Sequence, residues 1–148
     1  MNNYIENEEN IAKFKEFFNE ISNPSSPLEL MKSRYFAFKT DNYKYLYDTH
    51  CEETRNFTLE DLENSNKKVE WVDLKILDYS EKEETVTFIA YYRENMYVYE
   101  HKEKSKFKKI NDKWFYYGIL DFPKQIKLKP NEPCSCGSGK KYKKCCGK

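Results

Sequence analysis

Thr85-Val86-Thr87-Phe88-Ile89-Ala90-Tyr91-Tyr92 is the stretch that decides the fold, because its side chains alternate as in a half-buried β-strand. Before it, a strand that begins at Val69 leads into the polar turn Ser80-Glu81-Lys82-Glu83. After it, two further strands are predicted over about residues 96–110 and 113–120, joined by short polar turns. Consecutive strands with such short connections predict an antiparallel meander of about four strands.

The residues that precede these strands have helical spacing instead. Apolar side chains recur every three or four residues over 4–21, which predicts an amphipathic helix. Ser26 is a suitable N-cap for a second helix, with Pro27 at its first position. A short helix should follow Thr40-Asp41, and Thr58-Leu59-Glu60-Asp61 resembles the capping box of another. Helices followed by a meander predict an α+β fold, with the helices packed on one face of a strongly curved sheet.

The last sixteen residues carry four cysteines in a compact pattern. Two lie one residue apart and two are adjacent, and they are Cys134, Cys136, Cys145 and Cys146. Four thiolates supply the tetrahedral set that Zn²⁺ prefers, and iron is the alternative metal. Gly137-Ser138-Gly139 lets the chain reverse between the two pairs. With almost no apolar core, the module would obtain most of its folding free energy from the metal.

This cysteine pattern and its surroundings resemble the SEC-C motif, the small zinc-binding element at the C-terminus of the SecA translocation ATPase. The resemblance covers about residues 132–148 and implies the same four cysteines as ligands. It also implies a basic surface that faces a partner, formed by Lys140, Lys141, Tyr142, Lys143 and Lys144. By the same resemblance the partner would be a protein, such as a secretion chaperone or the ribosome. Alternatively, the lysines only balance the negative charge of a tetrathiolate site.

Charge is distributed unevenly along the chain. Residues 124–148 contain eight lysines and one glutamate, a net charge of +7, within a chain whose total is +1. Two interpretations of a basic tail on an acidic body are open: an acidic partner, for which nucleic acid is one candidate, or charge that only keeps the protein soluble. No apolar run approaches the ~18 residues that cross a bilayer, and the N-terminus lacks the pattern of a signal peptide. The protein is therefore expected in the cytoplasm, without a transmembrane segment.

The body of the chain resembles the central domain of the YchJ-like bacterial proteins. The resemblance rests on LMKSRYFAF (30–38), DNYKYL (41–46), TH (49–50), WVDL (71–74), HKEKSKF (101–107) and DKWFY (112–116). It implies a nuclear transport factor 2-like (NTF2-like) or cystatin-like cone, in which helices cover a strongly bent sheet. Together the patterns divide the chain into an amphipathic helix (1–24), the YchJ-like domain (25–122), a linker (123–132) and the SEC-C motif (133–148).

A pocket between the sheet and the helices is expected in such a cone. The period of two places His101, Glu103 and Ser105 on one face of the third strand, within reach of Arg34 and Tyr35 on the second helix. Two interpretations are open. His101 and Glu103 form an acid/base pair while Arg34 holds an anion, or Arg34 pairs with Glu103 in a buried polar network that only joins helix to sheet.

No phosphate-binding loop, dinucleotide motif or set of nucleophile, base and orienting group is found in the sequence. This disfavours an enzyme without excluding one. The leading hypothesis is a metal-binding adaptor that serves protein export, translation or quality control through its basic knuckle. The alternatives are a small-molecule-binding protein or enzyme that uses the cone pocket, and a nucleic-acid-binding protein that uses the lysine-rich tail. A homodimer is also considered.

Overall fold

The computed structural model describes residues 6–66 and 69–121 of the 148-residue chain. Four helices come first, and they are α1 (Glu8–Phe18), α2 (Pro27–Lys39), α3 (Tyr43–Asp48) and α4 (Leu59–Asn66). Four strands follow, and they are β1 (Glu70–Ser80), β2 (Thr85–Glu94), β3 (Tyr97–Ile110) and β4 (Lys113–Asp121). The predicted α+β order, helices before strands, is confirmed.

The strands form one antiparallel sheet in the order β1-β2-β3-β4, as the meander prediction required. Its register is interrupted between Trp71 and Asp73 and again between Ile76 and Asp78 on β1, and at two further points where β3 pairs with β4. Interruptions of this kind bend a sheet and increase its twist. They give the sheet a concave face, which the helices cover.

Two of the predicted helix starts are confirmed in atomic detail. The Ser26 hydroxyl accepts a hydrogen bond from the Glu29 amide, with Pro27 in the first turn. At α4, the Thr58 hydroxyl accepts from the Asp61 amide over 3.1 Å, and the Asp61 carboxylate accepts from the Thr58 amide over 2.9 Å. This reciprocal pair is a capping box, with aspartate in the place usually taken by glutamate.

Helix α1 is shorter than the range 4–21 that its apolar spacing indicated. Its N-cap is Asn7, whose side chain accepts from the Asn10 amide. It ends at Phe18, and Glu20 then adopts a φ of 60°, a left-handed conformation that cannot continue the helix. The helix still packs as an amphipathic element, since Phe14 and Phe17 are buried.

The core lies between α2 and the concave face of the sheet and is rich in aromatic side chains. Helix α2 contacts β1, β2 and β4, and α1 packs on α2 from outside. The completely buried apolar side chains include Leu30, Ala37, Leu46, Leu74, Val86 and Phe107. Cys51 is a free thiol with 2% exposure, so it packs in the body as a small apolar side chain.

The predicted linker and metal module lie outside the described residues. This applies to the ligands Cys134, Cys136, Cys145 and Cys146 and to the partner-facing set Lys140, Lys141, Tyr142, Lys143 and Lys144. Among the helices of residues 6–66, none is long and apolar enough to cross a membrane.

Candidate functional site

A cavity of about 240 Å³ opens between the concave face of the sheet and the helices. Helix α2 and strand β3 supply its polar groups, whereas the remaining walls are mostly apolar. Its lining comprises Met31, Arg34, Tyr35 and Phe38 of α2, His50 and Phe57 of the connecting segment, Leu62 of α4, Trp71 of β1, Phe88 and Ala90 of β2, His101 and Glu103 of β3, and Tyr116 of β4. Four of the five predicted pocket residues therefore line one cavity, and Ser105 lies immediately beside it.

Strand β3 places three polar side chains in a row along its inner face. Glu103 Oε1 is 2.9 Å from His101 Nε2, and Glu103 Oε2 accepts hydrogen bonds from the hydroxyls of Ser105 and Tyr116. Burial raises the pKa of Glu103, but these hydrogen bonds outweigh it and hold the pKa below its ordinary value. Glu103 is therefore a carboxylate at neutral pH, with both oxygens occupied.

Arg34 forms the opposite polar wall of the cavity, on α2. It is 6% exposed, and its Nη1 donates to the Leu46 carbonyl oxygen over 2.9 Å and to Thr49 Oγ1 over 2.7 Å. The guanidinium carbon lies 4.6 Å from the centre of the Tyr116 ring, which is a cation–π contact. Burial lowers the pKa of Arg34, although an arginine stays charged at any physiological pH.

The direct pairing of Arg34 with Glu103 that one interpretation required does not occur. Among the ion pairs of the described residues, Glu103 is joined to His101 and Arg34 is joined to no carboxylate. Tyr116 stands between the two charges, with its ring under the guanidinium and its hydroxyl on the carboxylate. Burial and the adjacent Glu103 charge raise the pKa of Tyr116, so its hydroxyl keeps the proton that it donates.

The backbone fixes Tyr116 in this intermediate position. Its amide donates to the Thr49 carbonyl over 2.8 Å, and its carbonyl accepts from the Cys51 amide over 2.7 Å. This short parallel bridge ties the segment after α3 to β4. Consequently Thr49, which binds Arg34, and Tyr116, which lies beneath it, are joined directly through the backbone.

His50 belongs to this site, although its position after a helix suggested another role. At the C-terminal end of a helix, an imidazolium would be favoured by the helix dipole. Instead the ring packs edge-on against Phe57 and Tyr116, with centroid distances of 4.9 and 5.1 Å. Burial, followed by the charges of Arg34 and Arg55, lowers its pKa to about 4, so the ring is neutral at physiological pH. Sequence alone shows neither the burial of this ring nor the two cations beside it.

Trp71 closes the cavity on the side of β1, and a polar clamp holds its indole. The indole N–H donates to Asn66 Oδ1 over 2.8 Å, and Asn66 Nδ2 donates to the Phe38 carbonyl over 3.0 Å. The Trp71 ring also packs edge-on against Tyr35, at 6.2 Å between centroids. Asn66 is 6% exposed, so the clamp is largely shielded from water. No sequence pattern identified Asn66, Phe57 or Leu62 as site residues.

A second groove, of about 410 Å³, lies where the end of α2 meets the start of β1. Its walls share Phe38 and Trp71 with the cavity but also include Lys39, Asp41 and Glu70. Its charged groups are largely solvated, unlike Arg34 and Glu103. The smaller cavity is therefore the better candidate site, because it combines apolar walls with convergent buried polar groups.

The chemistry available in the cavity depends on how the protein holds Glu103 and Arg34. Glu103 accepts hydrogen bonds at both oxygens and its pKa is lowered, which makes it a poor general acid or base. Arg34 is bound to the protein through Nη1, and the same side chain lines the cavity. Within residues 6–66 and 69–121 no group of three or more His, Cys, Asp or Glu side chains is arranged to hold a metal.

Comparison with known proteins agrees with this architecture. Residues 26–118 match the family model described as the YchJ middle NTF2-like domain, and residues 131–148 match the SEC-C motif. The first match covers more than half of the chain and extends from the start of α2 to β4. The second covers the four cysteines of the predicted metal module.

Curated relatives and solved structures lead to the same group of proteins. A UPF0225 protein of Geobacter sulfurreducens is 38% identical over 129 residues, and the match covers 80% of each chain. A UPF0225 protein of Vibrio cholerae is 35% identical over 132 residues, and the match covers 84% of this chain and 87% of the relative. The solution structure of a SEC-C motif protein from Rhodopseudomonas palustris has a TM-score of 0.67 at 27% identity, covering 73% of this chain and 89% of its own. A crystal structure of a SEC-C motif protein from Psychrobacter arcticus has a TM-score of 0.60 at 27% identity, covering 90% of this chain and 80% of its own.

Proposed function

The chain belongs to the YchJ-like, UPF0225 family, with an NTF2-like middle domain followed by a SEC-C motif, and on that premise we propose that it is a metal-binding protein whose cone binds a small molecule. The observation that carries the proposal is the cavity of about 240 Å³, in which apolar walls surround Arg34, Glu103 and His101. Concave, mostly apolar pockets with a few convergent polar groups are the usual form of small-molecule sites.

Binding without chemistry is favoured by how the polar groups are arranged. Tyr116 and Ser105 both donate to the same oxygen of Glu103, and His101 occupies the other. A general base works best with a pKa near the operating pH, whereas these contacts lower the pKa of Glu103 and hold it as a fixed carboxylate. The same contacts keep the cavity's polar wall preformed, so a ligand need not order it.

The C-terminal module would supply the metal-binding part of this function. Cys134, Cys136, Cys145 and Cys146 form a four-thiolate donor set that fits a structural Zn²⁺, with iron as the alternative. The lysines between the two cysteine pairs make the module basic and suit it to dock on an acidic protein surface. A secretion chaperone or the ribosome is the partner that the motif implies, and an adaptor role in export, translation or quality control would follow from it.

The cavity part of the proposal is tested by a fragment screen on the full-length protein, read by NMR shifts of its methyl groups. Binders should move the methyl signals of Met31, Leu62 and Ala90, which line the cavity. Leu62→Trp should abolish these shifts by filling the cavity from α4. Leu59→Trp is the matched control, since Leu59 is on the same helix but is 44% exposed and does not line the cavity.

Two results would contradict the proposal. The first is a screen in which no fragment moves the cavity signals of a folded protein. The second is equal loss of binding in Leu62→Trp and Leu59→Trp, because it would place the fragments elsewhere or indicate general misfolding.

A further inference from the structure

Arg34 has hydrogen-bonding capacity that the protein does not use. A guanidinium carries five N–H donors. The contacts to Leu46 and Thr49 both come from Nη1, and no other hydrogen bond from Arg34 is made to a described residue. Within the described residues, the donors on Nε and Nη2 therefore have no protein acceptor, on a side chain that is 6% exposed and lines the cavity. Donors on a side chain so little exposed favour a ligand that brings an acceptor.

The orientation of the group defines which acceptor suits it. With Nη1 held by α3 and its cap, and one face of the guanidinium on the Tyr116 ring, the remaining fork is the Nε and Nη2 edge. That edge presents two parallel N–H groups, which match the two oxygens of a carboxylate. Glu103 does not occupy it: its oxygens accept from His101, Ser105 and Tyr116, and its ion pair among the described residues is with His101.

The remaining walls limit the size and charge of the ligand. A dry cavity of about 150 Å³ holds benzene, so a cavity of about 240 Å³ has room for about nine or ten non-hydrogen atoms. Besides its polar residues, the cavity is lined by apolar side chains that include Leu62, Phe88 and Trp71. They offer no second cation, and a multiply charged anion would be left partly unpaired.

Around His50 the electrostatic environment is positive. After burial, which is the larger cause, the charges of Arg34 and Arg55 both disfavour the protonated form of the His50 ring. The Glu103 carboxylate lies on the β3 wall of the same cavity, so an anionic group is favoured beside Arg34 and disfavoured beside Glu103.

From these observations we infer that the cone binds a compact monocarboxylate with an aromatic or branched apolar body, its carboxylate paired with Nε and Nη2 of Arg34. This inference rests on the proposed small-molecule site and identifies its ligand class. The carboxylate lies at the polar wall formed by Arg34, and the apolar body lies against Leu62, Phe88 and Trp71.

Three molecules of nine non-hydrogen atoms each test the inference: benzoate, benzamide and benzamidine, which differ in charge and not in shape. Titrated into the full-length protein, benzoate should shift the Arg34 Nε–H signal and the Leu62 methyl signals. It should bind about ten- to a hundred-fold more tightly than benzamide, the range expected for a charge-assisted pair. Benzamidine should leave both sets of signals unchanged.

Variants separate the arginine fork from simple positive charge. Arg34→Lys keeps the charge but loses the fork, and benzoate affinity should fall at least tenfold. Arg55→Lys is the control, because Arg55 also stacks on a tyrosine, Tyr47 at 4.0 Å, but does not line the cavity. Its affinity for benzoate should change less than twofold.

The outcomes distinguish this inference from the proposed function. If benzamide or benzamidine binds as tightly as benzoate at the cavity signals, the ligand class is overturned and the small-molecule site stands. If benzoate does not bind while other screened fragments do, the ligand class is again overturned and the small-molecule site again stands. If no fragment and none of the three probes binds, the proposed small-molecule function falls, and the ligand class with it.

Discussion

The Tyr116 hydroxyl donates a hydrogen bond to Glu103 Oε2 over 2.7 Å, from β4 to β3. The same ring lies under the Arg34 guanidinium, so one phenol contacts both buried charges of the site. A buried carboxylate and a buried cation are each unfavourable alone, and Tyr116 connects them without bringing them into contact. The hydrogen bond and the ring contact can be removed separately by mutation.

Tyr116→Phe removes the hydrogen bond and keeps the ring beneath Arg34. Because a buried carboxylate loses one of its three donors, we expect the free energy of unfolding to fall by about 1–2 kcal/mol. The pKa of Glu103 should rise, since the Tyr116 hydrogen bond is one of the contacts that lower it. Urea unfolding at pH 7 measures the first effect, and a carboxylate NMR titration measures the second.

Tyr117→Phe is the matched control for this change. The Tyr117 hydroxyl contacts exposed Glu53 at 3.3 Å, so its loss should alter stability by less than about 0.5 kcal/mol. Equal destabilisation by the two substitutions would indicate that Glu103 does not depend on Tyr116.

Thr58→Ala removes one half of the capping box that starts α4, the helix that carries Leu62 to the cavity. The Asp61 amide loses its side-chain acceptor, and stability should fall by about 1 kcal/mol. Amide hydrogen exchange in α4 should accelerate more than exchange in α2. Ser65→Ala is the control, because the exposed Ser65 hydroxyl donates to a backbone carbonyl within the same helix. Uniform acceleration across both helices would show that α4 does not open independently.

The elements of the fold were predictable because each depends on neighbours in sequence. The alternation over 85–92 and the turn before it placed β2, and Thr58 with Asp61 marked the start of α4. The extent of α1 was not predictable to the residue. Asn7 and Glu20, rather than the apolar spacing, determine where it begins and ends.

The residues of the site were predictable only where the alternation of side chains along a strand places them on one face. The period of two brings His101, Glu103 and Ser105 to one face of β3. The partners of Arg34, by contrast, depend on how α3 and β4 each pack against α2, which no local pattern specifies. Its hydrogen bonds go to Leu46 and Thr49, and the expected contact with Glu103 is replaced by Tyr116.

The metal prediction is tested by elemental analysis of the purified full-length protein. We expect about one zinc or iron per chain in the wild type, because four thiolates complete a tetrahedral site. The double substitution Cys145→Ser and Cys146→Ser removes half of the ligands and should abolish metal binding. Cys51→Ser is the control and should keep the metal, since Cys51 is buried in the body at 2% exposure. A freshly reduced wild type without metal would contradict the prediction.

Acid sensitivity should arise first from His50. Its pKa is about 4 in the folded protein against 6.5 for an ordinary histidine, so between these values the unfolded chain binds a proton that the folded chain does not. Stability should therefore fall as pH decreases from 6.5 towards 4, by on the order of 1 kcal/mol once the partial exposure of the ring is allowed for. Glu103 contributes at lower pH. Its pKa in the folded protein lies below the ordinary 4.5, and its contribution to stability is lost only as pH falls through that folded-state pKa.

Urea unfolding at pH 7, 5.5 and 4.5 measures this pH dependence of stability. The free energy of unfolding should decline less in His50→Gln than in the wild type. An identical decline in the two proteins, or an imidazole NMR titration of His50 with a midpoint near 6.5, would show that the ring is not held neutral by burial and by the charges of Arg34 and Arg55.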